Sequence, residues 1–333
     1  LFRDLEFRTH LKRVSVLGRG SVSEVEADGP QLSLSFGTSD DKRSGHDITL
    51  SGSTNTIVVD TMEELSNLKE ELSKAQVIAF DTETTSTNVM NAELVGISLS
   101  IETGKAFYIP VGHESSMAPD GQLELKQVLD ALSGSLCDQS IKKVAHNAKY
   151  DYVILKRLGL VVNPLSADTM LSEWISDPNS RNKSLKNLSL VRLGVEMQGI
   201  EDLIGKGKNQ KTMSAVPVEK AAAYAASDAD MTLRLFPILY SELRESNAID
   251  LLNMELSLIP LLAQMEMTGV LLDTDYLINL SGDLNTQIQS LTHEIKEIVG
   301  YDFNLNSTQQ LSSALFDHMG ILPPRGTRRT TSG

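Results

Sequence analysis

An α/β fold, a mixed sheet with flanking helices followed by a mostly helical region, is predicted by three features of the sequence. Two β-type runs, residues 94–101 and 106–111, flank Thr103-Gly104, a hairpin signal. Short apolar runs with β-branched residues then alternate with helical segments, as in strand–helix units. From about residue 247 onward nearly every segment carries helical periodicity.

The elements follow in order. A strand at 56–59 opens the fold, after a stretch (14–55) rich in Ser, Gly, Asp and Thr that reads as a flexible linker. Residues 77–80, Val-Ile-Ala-Phe, form a short apolar run expected as a buried strand. Alternation along a strand then puts Asp81 and Glu83 on one face. A strand at 142–145 leads into a helix through Tyr152, Ile154 and Leu155, with Asp151 near its start. Helices are expected at 169–175, 185–193 and 218–240. The last is Ala-rich and a strong helix former. A spacing of four sets Tyr224 and Asp228 one above the other on it. Further helices cover 251–267, 274–299 and 307–318, with Asp273 or Thr274 and Ser307 as N-caps. No internal repeat is found.

Composition sets bounds. The 333 residues allow two domains, and 41% hydrophobic content is ordinary for a packed core. The single Cys137 forms no internal disulfide, which fits a reducing, cytoplasmic setting. No apolar stretch approaches the ~20 residues of a membrane span. The first residues, with Arg3, Asp4, Glu6 and Arg8, lack a signal-peptide core. A net charge of −14 argues against a broad duplex-binding surface. Local basic groups remain: Lys142, Lys143 and Lys149; Lys206, Lys208 and Lys211; Arg325, Arg328 and Arg329. Gly205-Lys206-Gly207-Lys208 is expected to touch phosphate, because glycines let backbone approach a ligand. It is not a P-loop, since no Gly-Lys-Ser/Thr opens a helix there.

The chemistry lies in four acids. Asp81 and Glu83 form an acid-x-acid pair, Asn147 and Asp151 an Asn-x-x-x-Asp, Tyr224 and Asp228 a Tyr-x-x-x-Asp. Phosphodiester hydrolysis adds negative charge to an anionic phosphate, and paired divalent ions stabilise it. Hard cations such as Mg²⁺ take oxygen ligands. Two carboxylates 4 Å apart repel by ~4 kcal/mol at an effective dielectric of 20, so four converging acids call for cations. Taken singly, each pattern is commonplace: an acid pair at a strand end, or a solvated helix face beside a packed ring. In this order and context they mark a candidate two-metal phosphodiesterase.

At this point the chain resembles the 3′→5′ exonuclease domain of a bacterial family A DNA polymerase, the polymerase I group. Asp81-Thr82-Glu83-Thr84-Thr85 with Glu93-Leu94-Val95-Gly96-Ile97-Ser98 is similar to the first exonuclease motif and its next strand. Ala106-Phe107-Tyr108-Ile109-Pro110-Val111, Ala167-Asp168-Thr169-Met170, Gly205-Lys206-Gly207-Lys208-Asn209-Gln210 and Asp228-Ala229-Asp230 also match. Met267-Thr268-Gly269-Val270 and residues 303–311 resemble the start of the polymerase thumb. Residues 1–8 resemble the end of a preceding 5′-nuclease domain.

The resemblance implies a ribonuclease H-like fold and four segments. These are a 5′-nuclease tail (1–13), the linker (14–55), the exonuclease domain (56–245) and a truncated thumb (246–333), with both ends cut. It implies two divalent ions, Mg²⁺ or Mn²⁺, held by Asp81, Glu83, Asp151 and Asp228. Asp81 would bridge both, Glu83 and Asp228 would hold one, and Asp151 would support the other through water. Tyr224 would orient the nucleophile. Thr84, Asn147 and Ile200, with Lys206 and Lys208, would contact the nucleic acid. The implied partners are a single-stranded 3′ end, a primer-template and the rest of the polymerase chain, in a monomer. Thr87 departs from the Leu that relatives often use as a wedge, with Val89 or Met90 as substitutes. Ser227 replaces a common Glu and His146 a common Gln; His146 reads as a packed residue. No polymerase palm motif is present, so this segment is not expected to synthesise DNA. Two alternatives stay open: a stand-alone RNA-trimming exonuclease, which the motifs do not separate, and a silent DNA-binding spacer, against which the intact acids speak.

Overall fold

The computed structural model describes residues 53–207 and 210–322. The expectations for residues 1–13, for most of 14–55, for Lys208 and for Arg325, Arg328 and Arg329 lie outside the described residues. Two compact units divide the chain after Thr268.

The first unit is built on a six-stranded sheet of order β1-β4-β3-β2-β5-β6. Its strands are β1 (Asn55–Val58), β2 (Val77–Thr84), β3 (Leu94–Glu102), β4 (Lys105–Pro110), β5 (Lys142–Ala145) and β6 (Leu165–Asp168). β2, β3 and β4 form an antiparallel meander. β1 joins β4 in parallel, and β5 and β6 extend β2 in parallel. This is the mixed sheet that the hairpin followed by strand–helix units predicts.

The helices are α1 (Met62–Ser73), α2 (Leu125–Leu136), α3 (Ala148–Arg157), α4 (Thr169–Ser176), α5 (Leu185–Leu188), α6 (Glu201–Ile204), α7 (Val218–Glu245) and α8 (Ile249–Thr268). α1 opens with a reciprocal capping box between Thr61 and Glu64. The expected helix at 185–193 is α5 continued by a wider π-helical turn, Ser189–Leu193, which Gly194 ends in the left-handed conformation. α7 runs five residues past the expected 240, through Pro237.

Strand alternation separates two cores. Ile78 and Phe80 of β2 join Phe107 and Ile109 of β4 in the larger one, with Leu65, Leu68, Leu132, Leu136 and Tyr152 from α1–α3. On the opposite parity, Tyr108 and Val95 pack with Ala221, Ala222 and Ala225 of α7. The small Ala faces let this long helix lie close across the sheet. Asp81 and Glu83 share that parity, so β2 turns them toward α7.

In the second unit, α9 (Thr274–Val299) starts at Asp273, whose carboxylate accepts from Tyr276 N at 2.9 Å. α10 (Thr308–Ser312) is capped by Ser307. Both N-caps are those expected. Val299, Phe303 and Ala314 form its small core. Among the described residues no helix is long and apolar enough to cross a membrane.

Candidate metal centre

Three of the four acids converge. Asp81 and Glu83 from β2 and Asp228 from α7 each offer a carboxylate oxygen, and these oxygens all lie within 4.8 Å of one another. Glu83 is buried, and Asp81 and Asp228 are half-buried. Alternation along β2 and the helical register of α7 produce this group as predicted.

Asp151 stands differently. Its carboxylate is buried and accepts from Thr82 N at 2.9 Å and Thr82 Oγ1 at 2.5 Å. It is thus tied to the residue between the two β2 acids, while its charge still acts on all three acids of the group.

The electrostatics fit a cation site. Burial pushes Asp81 well above the usual carboxylate range, and among the described residues the charges acting on it, from Asp151, Glu83 and Asp228, are negative. Burial, then Asp228 and Asp151, does the same to Glu83. Burial raises Asp228 to about 7 against a hydrogen bond from Tyr224. It raises Asp151 to about 7 against those from Thr82. Oxygen-only donors, with no basic counter-charge among the described residues acting on the trio, match hard divalent cations.

Second-layer contacts position these groups. Asp168 ends β6, and its carboxylate accepts four backbone N–H groups. Asn147 N (3.1 Å) and Ala148 N (2.8 Å) come from the start of α3. Met170 N (2.8 Å) and Leu171 N (3.2 Å) come from the start of α4. This clamp accompanies the left-handed Asn147, φ 62°, from which α3 sets off toward Asp151. Asp230 performs the equivalent task for α7. It pairs with Arg234 (Nη2 at 2.7 Å, Nε at 2.9 Å) and accepts from Thr54 Oγ1 and Gly104 N, pinning the helix to β1 and the β3–β4 turn.

Tyr108 lies over Gly96, the residue paired with Glu83. A Cβ at Gly96 would sit 2.2 Å from the Tyr108 hydroxyl. His113 Nδ1 faces the Val216 carbonyl at 3.0 Å and therefore donates, so Nε2 accepts the Tyr108 hydroxyl at 2.7 Å. Sequence reasoning assigned no role to Asp168, Asp230, Arg234, Tyr108 or His113. Their patterns were visible, but their partners lie far along the chain.

The remaining predicted residues are placed as follows. The Tyr224 hydroxyl lies near Asp228, and burial with three nearby carboxylates keeps it protonated. Thr84 Oγ1 meets Tyr150 Oη at 2.5 Å, which ties Thr84 to α3 through a tyrosine that was not singled out. Asn147 is exposed. Ile200, 41% exposed, caps α6, whose Leu203 and Ile204 pack, as Tyr224 does, on the core of Val95, Tyr108 and the α7 alanines. Lys206 is exposed and pairs with Glu201 at 2.6 Å. Lys143 is no surface base: it is buried, with Nζ on the Asp138 carbonyl. His146 is held neutral by burial, down to about 4, as a packed residue. Of the substitutes for a wedge at Thr87, Val89 packs into the core and Met90 stays 39% exposed.

Comparison with known proteins agrees with this geometry. A family model described as 3′-5′ exonuclease matches residues 56–244. DNA polymerase I of Chloroflexus aurantiacus is 37% identical over all of this chain and 36% of its own length. That of Pseudomonas aeruginosa is 36% identical over 76% of this chain and 28% of its own. The chain thus spans about a third of the curated relatives it matches. Among solved structures, the polymerase domain of Pol1 from M. smegmatis, in complex with DNA primer-template and dNTP, superposes with a TM-score of 0.62 at 22% identity. It covers 84% of this chain and 43% of that one. Brucella melitensis NrnC matches with a TM-score of 0.50 at 20% identity, over 65% of this chain and 95% of its own. The fold is ribonuclease H-like, and the chain belongs to the DNA polymerase I-related 3′-5′ exonuclease family.

Proposed function

We propose that this chain is the two-metal 3′→5′ proofreading exonuclease segment of a DNA polymerase I, acting in DNA replication and repair. Its substrate would be the terminal phosphodiester of a single-stranded or mispaired DNA 3′ end. The observation that carries this reading is the convergence of Asp81, Glu83 and Asp228 within 4.8 Å. Two Mg²⁺ or Mn²⁺ ions held by these three and Asp151 would neutralise charge on the phosphate and acidify the attacking water.

The chain's own groups do the positioning. Tyr224, kept protonated beside Asp228, holds the incoming water by its hydroxyl. Water oxygen bonds to phosphorus, the preceding 3′ oxygen leaves and takes a proton, and a 5′-mononucleotide is released. Thr84 and Asn147, held by Tyr150 and Asp168, and Ile200 line the approach of the terminal nucleotide. Lys206 and Lys208 supply phosphate contacts. The working assembly is a monomeric cytoplasmic polymerase whose remaining segments bind the primer-template. Residues 246–333 begin its thumb.

A primer with a mispaired 3′ end, incubated with Mg²⁺ and resolved on a gel, tests the reading. The native chain is expected to shorten it, and Asp81→Ala and Asp228→Ala to abolish shortening while staying folded. Intact primer with native, folded protein would refute the reading. An RNA strand of the same sequence, cleaved faster than DNA, would favour an RNA-trimming role instead.

A further inference from the structure

We propose that Trp174 and Lys183 form a stacking platform for a base of single-stranded nucleic acid, several nucleotides from the end that reaches the carboxylates. The proposal rests on the exonuclease reading and deepens it.

Trp174 is the chain's one tryptophan. Thr169, Ser172 and Glu173 are the buried residues of α4, yet the indole is 57% exposed. A ring of that size ordinarily contributes its area to a core or an interface. Lys183 Nζ sits 3.9 Å from its centroid, and the same ammonium donates to the Pro178 carbonyl at 3.1 Å. The positive charge is therefore fixed at the ring. An exposed aromatic face with a fixed cation is the pair of features that holds a base and its neighbouring phosphate without regard to sequence.

Location supports the assignment. His146 Nδ1 lies 2.8 Å from Thr169 Oγ1, at the start of the helix that carries Trp174. One imidazole thus ties the start of the platform's helix to the residue preceding Asn147. Arg181 and Lys186, both exposed, add charge on either side of Lys183 in a chain whose net charge is −14. A strand whose 3′ end reaches the carboxylates would meet this local basic strip rather than the acidic remainder. The plain alternative is a lysine shielding a ring from water, with no ligand.

The single tryptophan makes the test direct. Indole emission of the whole chain is followed in EDTA, without cleavage, as an octathymidylate or a dithymidylate is added. The octamer is expected to quench emission and to bind more tightly than the dimer. With a labelled octamer, Trp174→Ala should weaken binding about tenfold, the scale of one lost base–aromatic stack. Trp174→Phe should restore most of it. Lys183→Met should weaken binding severalfold and flatten its salt dependence. Octamer binding with unchanged emission, or Trp174→Ala binding as tightly as native, overturns the platform. Cleavage in Mg²⁺ is scored separately. Quenching without cleavage counts against the catalytic reading alone, and cleavage with unchanged emission against the platform alone.

Discussion

The Asp151 carboxylate is bonded to both the backbone N–H and the hydroxyl of Thr82, at 2.9 and 2.5 Å. Thr82 is the residue between Asp81 and Glu83, so β2 carries two acids on one face and grips a third through the other. A displacement of α3 would be felt directly in the strand that carries Asp81 and Glu83.

This grip is testable by Thr82→Val, which keeps the shape and the N–H bond but removes the hydroxyl. A hydrogen bond to a charged group contributes ~1.5–3 kcal/mol, so the cleavage rate at saturating DNA is expected to fall about tenfold. Thr82→Ser should recover most of it. Single-turnover cleavage gives the comparison, and an unchanged rate for the valine variant would mean the N–H alone suffices.

The repelling acids predict an inverted pH response in metal-free protein. Asp151 and Asp228 are held up to about 7, and Asp81 and Glu83 well above their ordinary range, by burial first and then by like charge. In the unfolded chain they titrate near ~4. Across that interval the folded state binds more protons, so stability is greatest on the acid side and falls as pH rises through the folded values. In EDTA the melting temperature should be several degrees lower at about pH 8 than at about pH 5.5. Added Mg²⁺ should raise the pH 8 value selectively. Equal melting temperatures in EDTA, or no selective Mg²⁺ effect, would contradict the charge arrangement.

Much of this was legible from local rules. Alternation placed Asp81 and Glu83 together, and the spacing of four placed Tyr224 over Asp228, because both depend only on the period of one element. The starts of α9 and α10 were readable for the same reason. α1 was overlooked although Thr61 and Glu64 spell a capping box. The supports of the site were not legible: Asp230 reaches Thr54, 176 residues away, and Gly104, 126 away. No periodicity encodes such partners. Lys143 misled because a lysine at a strand start looks solvated, whereas here its ammonium turns back onto a carbonyl.

Asp168 is expected to be a positioning residue whose loss affects both fold and grip. Asp168→Asn replaces one acceptor oxygen with an N–H₂ group, which must face backbone donors at the start of α3 or α4. Unmet buried hydrogen bonds of this kind cost about 3 kcal/mol, visible as a lower melting temperature. Because Asn147 shifts with α3, KM for the 3′ end should rise more than kcat falls. A variant that melts earlier yet keeps native KM would show that the clamp serves stability alone.

Tyr224 separates turnover from ion binding. Its hydroxyl lies near Asp228, and burial and the neighbouring carboxylates leave it protonated at any ordinary pH. In the proposed reaction it would therefore offer a hydroxyl to the water without itself becoming a base. Tyr224→Phe keeps the ring that packs on the core of Val95, Tyr108 and the α7 alanines and removes only that group. Turnover should drop by about 10- to 100-fold, the range of a lost positioning contact, while Mn²⁺ affinity by calorimetry stays within about twofold, since Asp228 keeps its carboxylate. The fall in rate should persist across pH, because no titrating group has been deleted. A parallel collapse of Mn²⁺ affinity would instead show that the hydroxyl holds Asp228 in place for the ion.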